Sequence, residues 1–421
     1  MNRKRWQHWR TRLTIFLAVL GPGIITASVD NDVGGIYTYS VAGARFGYSL
    51  LWTLIPITVA LVVVEEMAAR MGVVTGKGLA DLIREEYGFR VTLLIMAGLV
   101  VANLGTTIAE FAGLASGMSV LGVSRFIAVP LGVLIVWGLV VKGSYRIVEK
   151  VFLVACLIYV AYPISCFLAR PHWTQALVST VKPTFHFNAS YVYLILAIVG
   201  TTIAPWQQFY LQAAVIEKGT KLKDYVFSRW DVIAGCIVTS VVAFFIIVAC
   251  GATIYANGPR EIRDAADAAL ALRPLAGHAA SLLFAFGLCN AALLSACILP
   301  LSTAYCVCEG FGLESGVSKR LHEAPAFYWL YTGMIVLSAL VVMLLSEAKQ
   351  IPLILLTQVA NGILLPFVLI SMIRLSNRKD LMGNYRNTQL FNTIAWATAV
   401  VVVGLTLLLV VSAFFPDRLP H

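Results

Sequence analysis

Long apolar stretches separated by short polar segments dominate the chain. Eleven such runs can be counted, and a membrane-spanning helix needs about 20 apolar residues. They cover residues 13–45, 48–72, 91–118, 124–142, 148–168, 190–215, 228–256, 278–309, 327–346, 350–374 and 391–415. Because the runs are continuous and do not alternate with polar positions, they predict helices and argue against a β-barrel.

Two of the eleven runs are interrupted half-way by polar residues, glycine and proline. The first contains SVDNDVGGI (Ser28–Ile36), and the sixth contains GTTIAPWQQ (Gly200–Gln208). These residues predict helix breaks, at Gly34, Gly35, Gly200 and Pro205. Broken backbone within a membrane must line a protein-enclosed or watery cavity. A simple kink in each helix is the alternative.

The positions of the interrupted runs predict an inverted repeat. Runs one and six head two sets of five, and an odd number per set makes the second set cross the membrane in the opposite sense. The fold class is therefore an all-α polytopic membrane protein with broken helices one and six. The expected division is a basic N-terminus at 1–12, a first repeat at 13–168, a second at 190–374 and an extra helix at 391–415.

Composition supports this interpretation and excludes a soluble protein. Of the 421 residues, 59% are hydrophobic and 12% are charged, whereas soluble domains carry roughly 25% charged residues. The eight cysteines lie in or at the ends of apolar runs without a CxxC pair, so we expect small hydrophobic residues and no metal or redox site. No nucleophile–base pair or nucleotide-binding motif points to an enzyme.

The net charge of +10 describes topology. Of the 31 Lys and Arg residues, 22 fall in segments on one side of the predicted membrane. Basic loops are cytoplasmic, which predicts a cytoplasmic N-terminus in a plasma membrane, specifically a bacterial inner membrane, and requires no nucleic-acid partner. The loops 169–189 and 257–277 are expected to be solvent-exposed on the outer side. Residues 78–87 are expected to form a short amphipathic piece on the inner side.

The acidic residues inside the runs carry the functional prediction. A carboxylate at mid-membrane costs about 2.5–3.5 kcal/mol, and the first run holds both Asp30 and Asp32. Carboxylates and the free carbonyls of broken helices are ligands for hard cations. The alternative is that either Asp caps the second half-helix. The proposed metal site contains Asp30, Asn31, Asp32 and Gly35, the carbonyls of Thr201 and Ala204, and Gln207 and Gln358 as water-mediated contacts.

Further polar positions in the third and tenth runs leave alternatives open. Glu110 is a third intramembrane acid, and together with Thr107 it is suited to a gate or a proton path; a structural pair of Glu110 with a basic residue is the alternative. Gln358 and Asn361 lie in the tenth run, where hydrogen bonding between helices is the simpler interpretation.

Several segments in order resemble the Nramp family of divalent-metal transporters, from Gly21 to about residue 390. GPGIITASVDNDVGG resembles the family's first-helix motif, AARMGVVTGKGLADLI its second-helix exit and TTIAEFAGLASG its third-helix acidic motif. CEGFG (Cys308–Gly312) and TQVANGILLPF (Thr357–Phe367) resemble segments of helices eight and ten. The resemblance implies a LeuT-like fold in which runs one, two, six and seven rock against the rest.

The departures from the family pattern affect the expected ion. Ala204-Pro205-Trp206 stands where typical members have Met-Pro-His, Gly35 replaces the Asn ligand, and Thr107 replaces an Asp while Glu110 is kept. Losing the thioether removes the soft ligand and leaves a wider, all-oxygen site. This pattern is similar to the Nramp-related branch linked to Mg²⁺ transport, although Val33 stands where that branch has Pro. The missing His and acid weaken the expectation of proton coupling.

The sequence therefore predicts a secondary transporter of a hard divalent cation. Mg²⁺ or Mn²⁺ is expected, and other Nramp ions such as Fe²⁺ remain alternatives. The ion is the substrate, no cofactor is expected, and the chain is expected to act as a monomer in the lipid bilayer. A cation-coupled symporter of amino acids on the same fold is the alternative, although two Asp residues would repel a carboxylate. A non-transporting receptor or enzyme is a third.

Overall fold

The computed structural model describes residues 21–185, 189–258, 262–345 and 347–414. Every regular element in these ranges is helical. Ten helical segments there are long and apolar enough to cross a membrane, and an interrupted helix at the beginning of the described chain forms a further crossing. The basic segment 1–12 lies outside the described residues, as does the beginning of the first apolar run.

The helices are α1 (Pro22–Val29), α2 (Val33–Phe46), α3 (Leu54–Thr75), α4 (Leu79–Val120), α5 (Arg125–Lys142), α6 (Tyr145–Ile158), α7 (Ala161–Leu168), α8 (Trp173–Val181), α9 (Ala189–Thr202), α10 (Pro205–Glu217), α11 (Tyr225–Thr253), α12 (Ala265–Ala276), α13 (His278–Phe311), α14 (Pro325–Leu344), α15 (Glu347–Asn377), α16 (Lys379–Met382) and α17 (Gln389–Phe414). Short 3₁₀ turns lie at Leu51–Thr53, Leu222–Asp224, Tyr255–Asn257 and Gly383–Tyr385.

The first interrupted helix breaks at its acidic residues. The N–H groups of Asp30 and Asn31 bond carbonyls three residues earlier, both at 3.2 Å, which tightens the last turn of α1. Asp32 is extended and caps α2. Gly34 and Gly35 therefore lie in the first turn of α2. The break was expected at these glycines, and the carboxylate cap moves it to the acids before them.

The second interrupted helix breaks between α9 and α10. Gly200 lies inside α9, which continues to Thr202, and Pro205 begins α10. The expected break at Gly200 is therefore displaced, because proline is the residue that stops the first half. Proline lacks an N–H, so the carbonyl of Thr201, four residues earlier, loses its helical donor. Proline is also favoured as the first residue of a helix, which lets α10 begin there.

The helices pack in reciprocal pairs. Both halves of the first crossing, α1 and α2, pack against α11, and α10 of the sixth crossing packs against α3 of the second. Similarly, α4 packs against α15, as α13 packs against α7. These pairs exchange when the first set of five crossings is exchanged with the second, which is the relationship that an inverted repeat requires.

Connections on one side of the bundle lie together, and we call this side the basic face. It carries the segments 76–78, 218–224, 312–324 and 378–388 and the beginning of α1. Contacts across it include the Gln212 amide donating to the Lys77 carbonyl at 2.7 Å and Glu217 accepting from the Ser318 N–H at 2.5 Å. Gly88, with a φ of 79°, separates a short piece at 79–87 from the long part of α4, as the amphipathic pattern predicts.

The two long connections on the opposite side contain helices. Residues 257–277 were expected to form an exposed loop, yet α12 packs against α13. Its apolar residues recur at helical spacing and are buried, as Ala265, Ala268, Ala269 and Leu272 show. This amphipathic pattern explains why the segment forms a packed helix and not an exposed loop. In the other connection, 169–189, α8 is largely exposed, with Ala176 as its buried residue.

Candidate cation site

The two acids of the first break are buried where the half-helices meet. Asp30 is 1% exposed and Asp32 is 9% exposed. Oδ1 of Asp32 accepts a hydrogen bond of 2.6 Å from the N–H of Gly35, so the capping alternative describes one of its oxygens. Oδ2 of Asp30 has no hydrogen-bond partner within the described residues. Two carboxylates with spare acceptor capacity therefore lie at this break.

Gln207, in the first turn of α10, joins the two breaks. Its Nε2 donates to Oδ1 of Asp30 and to the Thr202 carbonyl at 3.0 Å. Its Oε1 accepts from the N–H of Ala204 at 3.1 Å. Protein groups thus occupy both ends of the amide, and Gln207 holds Asp30 beside the break of the sixth crossing.

The second break contributes backbone oxygens to the same region. The Thr201 carbonyl has no helical donor because Pro205 follows four residues later. A hydrogen bond of 2.9 Å between the Tyr39 hydroxyl and Thr202 Oγ1 holds α2 beside this break. The negative ends of two helix dipoles, at the ends of α1 and α9, thus lie near the Asp30 carboxylate. Such a region favours a cation.

Position 35 has no room for a side chain in this conformation. A Cβ on Gly35 would collide with the carbonyl oxygen of Asp30. An Asn at this position, as in typical family members, would need a different backbone at the break. Gly35 therefore contributes its N–H to Asp32 and no side-chain ligand.

Glu110 on α4 contacts the same break from another side. Its Oε2 accepts from the N–H of Val33, the first residue of α2, at 3.3 Å. Its Oε1 is buried without a partner in the described part of the chain, and no described basic residue forms an ion pair with it. Thr107 instead donates to the Asn103 carbonyl of its own helix at 2.7 Å.

Other predicted residues lie elsewhere or turn away. The Asn31 amide donates to the Thr239 carbonyl of α11 at 3.3 Å, although its Oδ1 has no partner among the described groups. The side chain of Gln358 lies outside the described residues. Its neighbour Asn361 donates to Thr106 Oγ1 at 3.2 Å, the hydrogen bonding between helices that was the simpler interpretation.

The donor set contains hard ligands. Among the described residues, no three His, Cys, Asp or Glu side chains gather as a ready-made metal cluster. A cation at the breaks would therefore be held by one or two carboxylates, backbone carbonyls and water. Proteins commonly bind Mg²⁺ with such a ligand set, because the ion keeps several of its waters.

Asp231 is a functional candidate that the sequence analysis missed, and Glu65 on α3 is a further buried acid near the breaks. Asp231 accepts from the N–H groups of Gly21, Gly23 and Ile24 at 3.0, 2.7 and 3.3 Å, so it caps α1 from another crossing. Glu65 is fully buried and accepts from the Cys236 thiol at 3.4 Å. Asp231 could have been noticed as the one acid in the seventh apolar run.

Comparison with known proteins decides the family. The family model described as Nramp, natural resistance-associated macrophage protein-like, matches residues 23–412. This chain belongs to the Nramp family. It is accordingly a multi-pass transporter of divalent metal cations and not an enzyme.

Relatives of this Nramp chain span nearly its whole length. A divalent metal cation transporter, MntH, of Klebsiella pneumoniae subsp. pneumoniae is 27% identical over 411 residues, with 96% of each chain covered. MntH of Deinococcus radiodurans is 29% identical over 402 residues and covers 92% of this chain and 88% of its own.

Solved Nramp structures share the fold. The manganese transporter of Eremococcus coleocola, in complex with an aromatic bis-isothiourea compound, has a TM-score of 0.77 at 22% identity and covers 100% of this chain and 90% of its own. The fold is therefore the LeuT-like arrangement of two inverted sets of five crossings with broken helices one and six, plus one extra helix.

Proposed function

We propose that this Nramp protein moves a hard divalent cation, Mg²⁺ or Mn²⁺, into the cytoplasm by alternating access. The observation that carries the proposal is the pair of buried carboxylates, Asp30 and Asp32, at a break whose opposite side offers Ala204 and backbone carbonyls. Oxygen ligands suit hard cations, and a site without thioether or imidazole loses its preference for softer ions.

Each residue of the proposed site has a distinct role. Asp32 supplies the charged ligand, since one of its oxygens caps α2 and the other remains for the ion. The carbonyls of Thr201 and Ala204 supply neutral oxygen. Asp30, held by Gln207, adds negative charge and water-mediated contact, and Asn31 adds its Oδ1. Gln358 completes the set through water.

The fold suggests how access alternates. We propose that the crossings formed by α1–α2, α3, α9–α10 and α11 rock against the remainder, within repeats at 13–168 and 190–374, while the helix at 391–415 is an appendage. We propose that the basic face lies in the cytoplasm and that the membrane is a bacterial inner membrane; the excess of Lys and Arg on this face supports the orientation. Nothing in this mechanism requires a second copy of the chain, so we propose a monomer.

Proton coupling is not required by this arrangement. Thr107 stands where an acid would relay protons and is bonded within its own helix. Glu110 instead fixes the first N–H of α2, which suits a gate that senses the position of that helix. We therefore propose facilitated or potential-driven uptake, with Glu110 as a gating residue.

Uptake into proteoliposomes tests the proposal. Asp32→Ala removes the charged ligand, so Mg²⁺ and Mn²⁺ uptake should fall to the level of protein-free vesicles. The control is Glu85→Ala, which removes an exposed acid paired with Lys77 on the basic face. This variant should transport normally. Intact uptake by Asp32→Ala would refute the site. Accumulation of an amino acid that depends on a cation would instead support the symporter alternative.

A further inference from the structure

A small cavity lies apart from the helix breaks, toward the basic face. It is enclosed by α1, α6, α10 and α13 and is lined by Ile25, Glu149, Tyr210 and Tyr305, among others. The half-helices α1 and α10 each run from a break to the basic face. The cavity therefore occupies the space that a cation leaving the breaks would cross to reach that face.

Glu149 carries the negative charge of this cavity. Of the described residues that line it, Glu149 alone is acidic. Its Oε1 lies 2.5 Å from Nζ of Lys218, and the two side chains are 14% and 10% exposed. Lys218 directly follows α10, so this largely buried ion pair joins the end of α10 to α6.

Three further hydrogen bonds hold the passage closed in this structure. The Tyr145 hydroxyl of α6 donates to the Ala214 carbonyl of α10 at 3.2 Å. Glu217, the last residue of α10, accepts from the Tyr305 hydroxyl of α13 and from the Ser318 N–H. The end of α10 is thereby held to α6 and α13, and the passage would open if α10 moved away from α6.

Separation of α10 from α6 would take Lys218 away from the Glu149 carboxylate. Breaking a buried ion pair is strongly unfavourable when one charge remains buried and uncompensated. Other nearby acids are already engaged, because Glu217 accepts from Tyr305 and Ser318, and Asp231 accepts from three N–H groups of the α1 terminus. Glu149 is thus the acid that opening would expose to the passage.

We propose that Glu149 is a second binding site for the transported divalent cation, at which the cation replaces Lys218 as the passage opens. The carboxylate, the hydroxyl of Tyr210 or Tyr305, and water are hard oxygen ligands suited to such an ion. Because the cation binds this site only when Lys218 has left, it stabilises the open passage by its difference in affinity for the two states. The inference rests on the proposed function.

Calorimetric titration of the full-length protein with Mn²⁺ tests the site. Wild type should show the Asp32-dependent binding event. Lys218→Gln frees the Glu149 carboxylate and should add a second, weaker binding event. The double variant Lys218→Gln/Glu149→Gln should lose this second event. The double variant Asp32→Asn/Lys218→Gln should keep it. Lys77→Gln is the matched control, because it removes the lysine of an exposed ion pair on the same face, in which Nζ of Lys77 lies 2.6 Å from Oε1 of Glu85. This variant should show no additional binding event.

Transport rates give a second readout. Glu149→Gln should lower the maximal uptake rate by about tenfold, the scale seen when a partner of a metal site is removed, and Glu149→Asp should restore most of it. Equal losses in Glu149→Gln and Lys218→Gln, with no added binding event, would show a purely structural ion pair and overturn the inference. That result would leave Asp32-dependent uptake, and hence the proposed function, intact.

Discussion

Ala204 is the residue at which the choice of ion can be tested most directly. It lies at the break between α9 and α10, and its methyl group offers no ligand. We expect Ala204→Met to raise the affinity for Mn²⁺ relative to Mg²⁺ by about tenfold, or about 1.4 kcal/mol, because a thioether is a softer ligand than oxygen. Calorimetry with both ions measures the ratio.

The control for this substitution is Ala204→Leu, which adds similar volume without sulfur. If both variants change the ratio equally, the effect comes from the size of the site and not from the ligand. An unchanged ratio in Ala204→Met would contradict the argument that the missing thioether favours hard ions.

At the scale of elements, α1 and α11 form one unit. Asp231 of α11 caps α1 through three N–H groups. The helices also approach closely, because a Cβ on Gly23 would collide with the backbone of Val232, and one on Gly235 would collide with the Gly23 carbonyl. We therefore expect α1 to move together with α11 and not to swing alone.

Removing the cap should loosen α1. Asp231→Ala leaves buried N–H groups unpaired, which costs about 1–3 kcal/mol, and should lower the melting temperature. It should also speed maleimide labelling of Ile25→Cys, whose position is buried beside the cavity. The control is Asp224→Ala, because Asp224 directly precedes α11 and its side chain makes no capping hydrogen bond. Equal labelling in both backgrounds would show that Asp231 does not hold α1.

At the scale of the whole molecule, the reciprocal packing of the two sets of crossings supports the proposal that a central site opens to either side in turn. The orientation in the membrane can be tested with impermeant maleimide on intact cells. Of the eight native cysteines, seven are buried and Cys156 is partly buried. Thr174→Cys, at an exposed position in α8, should therefore label from outside.

The matching variant on the basic face is Asn384→Cys, also at an exposed position. It should label only after the cells are permeabilised, because basic connections stay in the cytoplasm. The reverse pattern would place the basic face outside and would reverse the proposed direction of transport.

Much of the fold could be predicted from the sequence because its determinants are local. Apolar length indicates each crossing, the distribution of Lys and Arg indicates the sides, and acids or proline within an apolar run reveal a break. The breaks lie a few residues away from the predicted glycines, because capping by Asp32 and the missing N–H of Pro205 outweigh the flexibility of Gly34 and Gly200. The buried helix α12 was missed because the segment 257–277 was interpreted as an exposed loop, although its apolar residues recur at helical spacing.

The sequence by itself determined that this is a membrane protein with costly carboxylates at a broken helix, since burial of charge in lipid is unfavourable whatever the neighbours are. Only the tertiary structure decided which groups meet those charges. Gln207 contacts Asp30 across 177 positions of the chain, and Asp231 contacts Gly21 across 210. Such partners depend on how the two sets of helices pack, and no local pattern of residues encodes that packing.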